Sequence, residues 1–214
     1  MGSNNHQKKR GADSYERKPA DKSARKRLLV VCEGSKTEPH YFKDMRHDLR
    51  LKTADVMVCG KECGSDPVSV YNYAVKTFEE DDLGYDLVFC VIDTDDHKNL
   101  DQALELIDVK GPPFTAIVSS PCFEFWLMLH YVNHVKSFRA TSTKSIGGVV
   151  ESALKKLDKS YAKGRAGAWL RYKDKLDVAI ANAKSLHKTA IATGNRNPST
   201  EVHIVVEEMM ALKV

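Results

Sequence analysis

Glu33 and the triplet Asp93-Thr94-Asp95 are the residues of this chain whose type and placement best suit chemistry. Glu33 closes the apolar run Leu28-Leu29-Val30-Val31-Cys32 and is followed by Gly34. Asp93-Thr94-Asp95 closes the run Leu87 to Ile92. In an α/β protein, ligands bind at the carboxyl ends of parallel strands. Three carboxylates gathered there repel one another. A hard cation removes that repulsion and takes oxygen ligands of this kind. The expectation is a Mg²⁺ or Mn²⁺ site suited to phosphoryl chemistry. Asp93 and Asp95 are two apart, which puts both carboxylates on one face of a strand. Asp96 adds a third acid, and His97 offers a phosphate or solvent contact.

Three further segments could supply the same site. Glu33-Gly34-Ser35-Lys36-Thr37-Glu38 reads as a strand-to-helix turn. Gly34 lets the backbone pass close to a ligand, and the following helix offers free N–H groups to an anion. Lys36 could meet a phosphate oxygen. Glu38 is either a substrate contact or an acid favoured by the helix dipole. The glycine spacing and Lys-Ser/Thr pair of a P-loop are missing. Glu124 stands out in the apolar run Phe123 to Leu129 and would be costly there unless paired or metal-bound. It is expected as a further metal ligand, whereas His130 reads as a core or helix-end histidine. Arg196 could hold a phosphate with its fork of donors. Ser199 and Thr200 in Asn197-Pro198-Ser199-Thr200 could cap the last helix or bind a phosphate beside its open N–H groups.

The elements that must position these residues follow from the apolar pattern. Strands are expected at 28–32, 54–59, 85–92 and 114–118. Helices are expected at 38–50, 67–80, 100–108, 123–130, 146–160, 167–188 and from about 200 to 212. Asp66-Pro67 gives a helix start, with a good N-cap and a proline at the first helical position. Near-continuously apolar strands spaced by helices argue an open, mainly parallel α/β sheet of about four strands with helices on both faces. The carboxyl half is expected to be mainly helical.

Composition bounds the remaining choices. The 214 residues allow one good core. No stretch approaches about 18 consecutive apolar residues, and the start lacks the apolar region of a signal peptide, so neither a membrane span nor a signal peptide is expected. Of the five cysteines, Cys32, Cys90 and Cys122 sit in buried patterns. Cys59 and Cys63 lack a second pair at zinc spacing. Residues 1–27 carry nine Lys/Arg against three Asp/Glu, a net of +6. The whole chain is +4, so the body is −2. A disordered basic tail at 1–27 is therefore expected, joined to one domain at 28–214. Such a tail can lie along nucleic-acid phosphates or serve only as a solubilising extension.

Glu33-Gly34 after the first strand and Asp93-x-Asp95 after the third resemble the signature of a Toprim domain, the metal-dependent fold of topoisomerases, primases and OLD-type nucleases. The finer pattern resembles the RloB-like family. It comprises Val31-Cys32-Glu33-Gly34-Ser35-Lys36-Thr37-Glu38, then Val91-Ile92-Asp93-Thr94-Asp95, Ser120-Pro121-Cys122-Phe123-Glu124-Phe125-Trp126-Leu127-Met128-Leu129-His130, and Asn197-Pro198-Ser199-Thr200-Glu201-Val202-His203. Ser120 stands where that family more usually has Asn. The resemblance implies a cytoplasmic prokaryotic protein of phage defence and abortive infection, often beside an ATPase partner, and a Toprim-like nuclease on DNA or RNA. A homo-oligomer stays open, and no membrane partner is expected.

The favoured chemistry is metal-assisted phosphodiester cleavage. Asp93 and Asp95 would hold Mg²⁺ or Mn²⁺, Glu33 would be a ligand or move a proton, and Glu124 would complete a first or second ion site. Two alternatives stay open. One is nucleotidyl or phosphoryl transfer at the Asp-x-Asp. The other is a non-catalytic effector or regulatory subunit that binds an ATPase or nucleic acid. A haloacid-dehalogenase phosphatase fits less well, because its Asp-x-Asp follows the first strand.

Overall fold

The computed structural model describes residues 26–59, 66–94 and 99–213. Five apolar residues in a row make β1 (Leu28–Cys32) a strand that is buried on both faces. Glu33-Gly34 ends it and α1 (Thr37–Asp48) follows. The chain then forms β2 (Ala54–Val58), α2 (Pro67–Glu79), β3 (Leu87–Asp93), α3 (Leu100–Lys110) and β4 (Phe114–Ser120). The Asp66 carboxylate caps α2 by accepting the Val68 and Ser69 N–H groups at 3.1 and 3.3 Å, as the Asp-Pro pair predicts. The strand order is β2-β1-β3-β4-β5, where β5 is the short Ser199–Thr200 strand, with the first four strands parallel. Between β1 and β3 the winding reverses direction. A sheet of this kind opens a crevice at that point, beyond the carboxyl ends of its strands.

Side chains alternate across the strands, and two cores result. Leu28, Val30 and Cys32 face the larger core, with α1 and the helices that follow β4. Leu29 and Val31 face a smaller core with α2 and α3. This is the expected doubly covered sheet, with a helical carboxyl half built from α4 (Glu124–Leu129), α5 (Ile146–Leu157), α6 (Ala168–Tyr172), α7 (Leu176–Thr193) and α8 (Val202–Ala211). The four free cysteines among the described residues are all buried. Among those residues no helix is long and apolar enough to cross a membrane.

The structure departs from expectation at three places. Ser199–Thr200 forms a fifth strand, β5, antiparallel to the end of β4, so the sheet has five strands. The helix expected over 167–188 is two helices, α6 and α7, joined by a 3-10 turn at Lys173–Lys175. That turn redirects the chain from α1, against which α6 packs, to α4, β5 and α8, against which α7 packs. At the amino end, residues 1–25 of the expected tail lie outside the described residues, but Arg27 belongs to the body. Its guanidinium pairs with Asp81, donates to the Gly84 carbonyl at 2.7 Å and stacks 4.4 Å from the centre of the Tyr85 ring.

Candidate functional site

Glu33 and Asp93 end adjacent strands, so the β1–β3 pairing brings them together at the switch point. Glu33 Oε2 accepts the Asp93 backbone N–H at 3.3 Å. Glu38 enters from the first turn of α1, and its carboxylate lies directly against Gly34, where even a methyl group would collide with it. Glu124 enters from the first turn of α4, which the cis peptide Ser120-Pro121 precedes. Glu33, Glu38 and Glu124 are all buried, at 8, 7 and 3% exposure. They surround Asp93, whose Oδ1 is buried with no hydrogen-bond partner among the described residues.

Electrostatics mark the same group. Burial first, then the charges of Glu38, Glu124 and Glu33, push the Asp93 carboxyl well above the ordinary range. Burial first, and the Glu124 charge among the other causes, raise Glu38 to about 7. The loop after α5 answers this negative charge. Tyr161 OH donates to Glu124 Oε1 at 2.9 Å, and Thr37 Oγ1 donates to the same oxygen at 3.3 Å. The pKa of the exposed Lys163 is raised, first by the Glu124 charge. Gly164, with φ +74°, packs against the stem of Lys36, whose Cδ would stand 2.7 Å from any side-chain carbon added there. Lys36 is therefore an exposed cation at the rim of the acid group, with its stem held by the loop.

The remaining expected site residues fall into three places. Asp95 and His97 lie outside the described residues. Ser199 and Thr200 sit at the carboxyl end of β4 and serve the sheet. Thr200 Oγ1 hydrogen-bonds Ser119 Oγ at 2.9 Å and accepts the Val202 N–H at 3.3 Å. Arg196 is separate from the acids and lines a groove of about 690 Å³ between α3 and β4. His130 is the expected core histidine. Its Nδ1–H donates to the Trp126 carbonyl at 3.1 Å, and burial lowers its pKa to about 4.

Tyr161, Thr37 and Lys163 were not singled out from the sequence. Tyr161 is 37 positions from Glu124 in a loop without a motif, so no local spacing links them. Thr37 adjoins two residues that were singled out. A threonine opening a helix reads as ordinary, and only the fold shows its hydroxyl on a carboxylate.

The donor set is the kind a hard cation takes: buried carboxylate oxygens, mutually repelling, one of them without a partner. In that chemical sense the residues fit Mg²⁺ or Mn²⁺. Among the described residues, no three His, Cys, Asp or Glu side chains are already arranged to hold one ion. Glu33 and Glu124 are instead turned onto protein donors, a backbone N–H and two hydroxyls.

No curated protein and no solved structure matches the chain. The family model described as RloB-like protein matches residues 28–209, which contain every described acid of the site and all five strands. The chain belongs to the RloB-like family.

Proposed function

We propose that this protein is a metal-dependent phosphodiester hydrolase acting on DNA or RNA. The observation that carries the reading is Asp93, a half-buried residue at the sheet's switch point whose Oδ1 is buried and unpartnered among the described residues, crowded by three buried acids. Four carboxyls this close are costly to ionise together, and a cation would offset the cost that otherwise holds protons on Asp93 and Glu38. A Mg²⁺ or Mn²⁺ ion held by Asp93 and Asp95, with Glu33 and Glu124 as further ligands, would polarise the phosphate and lower the pKa of an attacking water. Glu33 is also placed to accept a proton at its carboxylate. Tyr161 and Thr37 orient Glu124. Lys36 and Lys163 offer positive charge to the anionic substrate at the rim. Family membership supports a role beside an ATPase partner in bacterial anti-phage defence, in the cytoplasm, with the Toprim-like reading of the acids.

The test is incubation of the purified protein with end-labelled DNA and RNA pools, with Mg²⁺, Mn²⁺ or EDTA, with and without a co-expressed ATPase. Cleavage of either pool with metal and none in EDTA is the expected result. Absence of cleavage in every arm would favour the binding-subunit reading, for which the existing bonds of Glu33 and Glu124 to protein donors would then be the structural reason.

Tyr161→Phe tests the positioning of Glu124. Removing a hydroxyl that orients a ligand is expected to weaken Mn²⁺ binding about 10-fold, measured by calorimetry, with an unchanged circular-dichroism spectrum. Unchanged Mn²⁺ affinity would remove Tyr161 from the positioning of the ion site and leave Thr37 as the group that orients Glu124.

A further inference from the structure

Helix α1 segregates its charges. Tyr41, Phe42 and Met45 are buried, and the acids Asp44 and Asp48 are engaged by the helical half. Asp44 accepts the Gly167 N–H at 2.8 Å. Asp48 accepts the Trp169 indole N–H at 2.8 Å and pairs with Lys173 at 3.1 Å. The other flank carries Lys43, Arg46 and His47, the i, i+3, i+4 positions of one helical stripe, followed past the helix end by Arg50, whose backbone is left-handed at φ +55°. With Leu51 and Lys52 these residues line a groove of about 630 Å³ that has no acidic lining residue. The four Lys and Arg give it +4 in a body whose net charge is −2.

Most of these cations are uncommitted. Arg46 pairs with Asp55 at 3.4 Å, but Lys43, Arg50 and Lys52 make no ion pair with a described residue. The helix dipole accounts for Arg46 and His47 in the last turn. It does not account for Lys43 in mid-helix or for Lys52, which lies beyond the helix end.

The amino end of the described chain lies beside this groove. The Leu28 N–H donates to the carbonyl of Thr53, the residue after Lys52, at 2.8 Å. Asp55 binds both Arg27, at 3.5 Å, and Arg46. Residues 1–25, which precede this end in sequence, carry seven Lys/Arg against three Asp/Glu.

We propose that this groove, along the later part of α1 and just past its end, binds the phosphate backbone of a nucleic acid. The partner chemistry is a run of closely spaced phosphates, without base readout, because uncommitted Lys and Arg side chains supply charge but no fixed pattern of base contacts. At 1.5 Å per residue along α1, the groove runs from about 8 Å (Lys43) to about 18 Å (Arg50) from Glu38. That is about two to five base-pair steps of a duplex at 3.4 Å. The groove would therefore hold the polymer flanking the reacting phosphate. This assignment rests on reading the substrate as nucleic acid, but it concerns binding and is tested without cleavage.

The experiment measures the affinity of the full chain for labelled 30-mer single-stranded RNA, single-stranded DNA and duplex DNA in EDTA, between about 50 and 200 mM salt. The variant Lys43→Gln/Arg50→Asn/Lys52→Gln changes only exposed side chains. Its expected affinity is about 10- to 100-fold lower, and its plot of log affinity against log salt is shallower by about 2 to 3. Lys43→Gln/Lys52→Gln, which leaves the left-handed Arg50 untouched, should show the same change at smaller size. Unchanged affinity and slope in both variants would overturn the proposal. So would binding to vesicles of anionic lipid but to none of the three nucleic acids. Failure of the nuclease reading would appear separately, as no metal-dependent cleavage by the wild type, and would leave this binding comparison intact.

Discussion

Asp93→Asn is expected to abolish metal-dependent cleavage, with a loss of at least about 1,000-fold, well beyond the roughly 10- to 100-fold cost of changing a group that only orients a ligand. The substitution keeps the size of the side chain and removes the charge that holds the cation. It also removes a charge from the most crowded point of the site, where Glu38, Glu124 and Glu33 all act on the same carboxyl. The metal-free variant should therefore be at least as stable as wild type, which separates lost chemistry from lost folding. Asp95→Asn is expected to behave alike, and Glu33→Gln should be severe through loss of a ligand or a proton acceptor. Glu124→Gln should act mainly on metal affinity, since that carboxylate is already held by Tyr161 and Thr37. Cleavage rates are compared across a Mn²⁺ titration. Equal rates for wild type and Asp93→Asn would place the activity outside this site.

The parts of the site that end strands were legible in the sequence, because an apolar run followed by an acid is a local signal. Glu33 and Asp93 met that condition, and the parallel register of β1 on β3 then makes them neighbours. Glu124 was legible for a different reason: a lone charge in an apolar run needs a partner. What the partner is was not legible. Tyr161 lies beyond α5, and its approach depends on how Asp158 folds the loop, with its carboxylate accepting from Ser160 and from Tyr172 OH at 2.7 Å.

Glu38 shows the limit of local reasoning. A first-turn acid is ordinary on dipole grounds, and only burial against Gly34 makes it part of the acid group. β5 was missed because two residues cannot display alternation, and Asn197-Pro198 reads equally well as a helix start. Arg196 was grouped with its sequence neighbours Ser199 and Thr200, yet it lies along α3 while they close the sheet. The stripe on α1 escaped notice because the apolar pattern fixed where the helix runs, whereas its polar face carries acids and bases in nearly equal number. Which of them remain uncommitted is decided by α6, more than 110 residues further on.

In the metal-free protein the acid group should weaken folding as pH rises, and Glu38 supplies the measurable part. Its carboxyl titrates at about 7 in the fold against 4.5 as the ordinary value, chiefly because it is buried. Between those values the folded state keeps a proton that the unfolded chain has released, so stability falls as pH rises. The stabilising contribution is complete below about 4.5 and gone above about 7. At 1.36 kcal/mol per unit, the loss between pH 5 and 7.5 is about 2 kcal/mol. Burial of neutral His130, lowered to about 4, works in the opposite direction, since its stabilising effect is lost as pH falls from about 6.5 towards 4. Asp93, raised by burial and the neighbouring acids, adds to the Glu38 effect, so the total slope mixes several groups, and the informative quantity is the difference between Glu38→Gln and wild type in EDTA. Glu38→Gln should gain about 2 kcal/mol relative to wild type on going from pH 5 to 7.5, measured by urea unfolding. Saturating Mn²⁺ at pH 7.5 should recover stability in wild type, by about 2.7 kcal/mol at 100 times the dissociation constant. A relative stability of Glu38→Gln that does not change with pH would show that Glu38 is ionised in the fold, and that the acid group is neutralised by something other than retained protons.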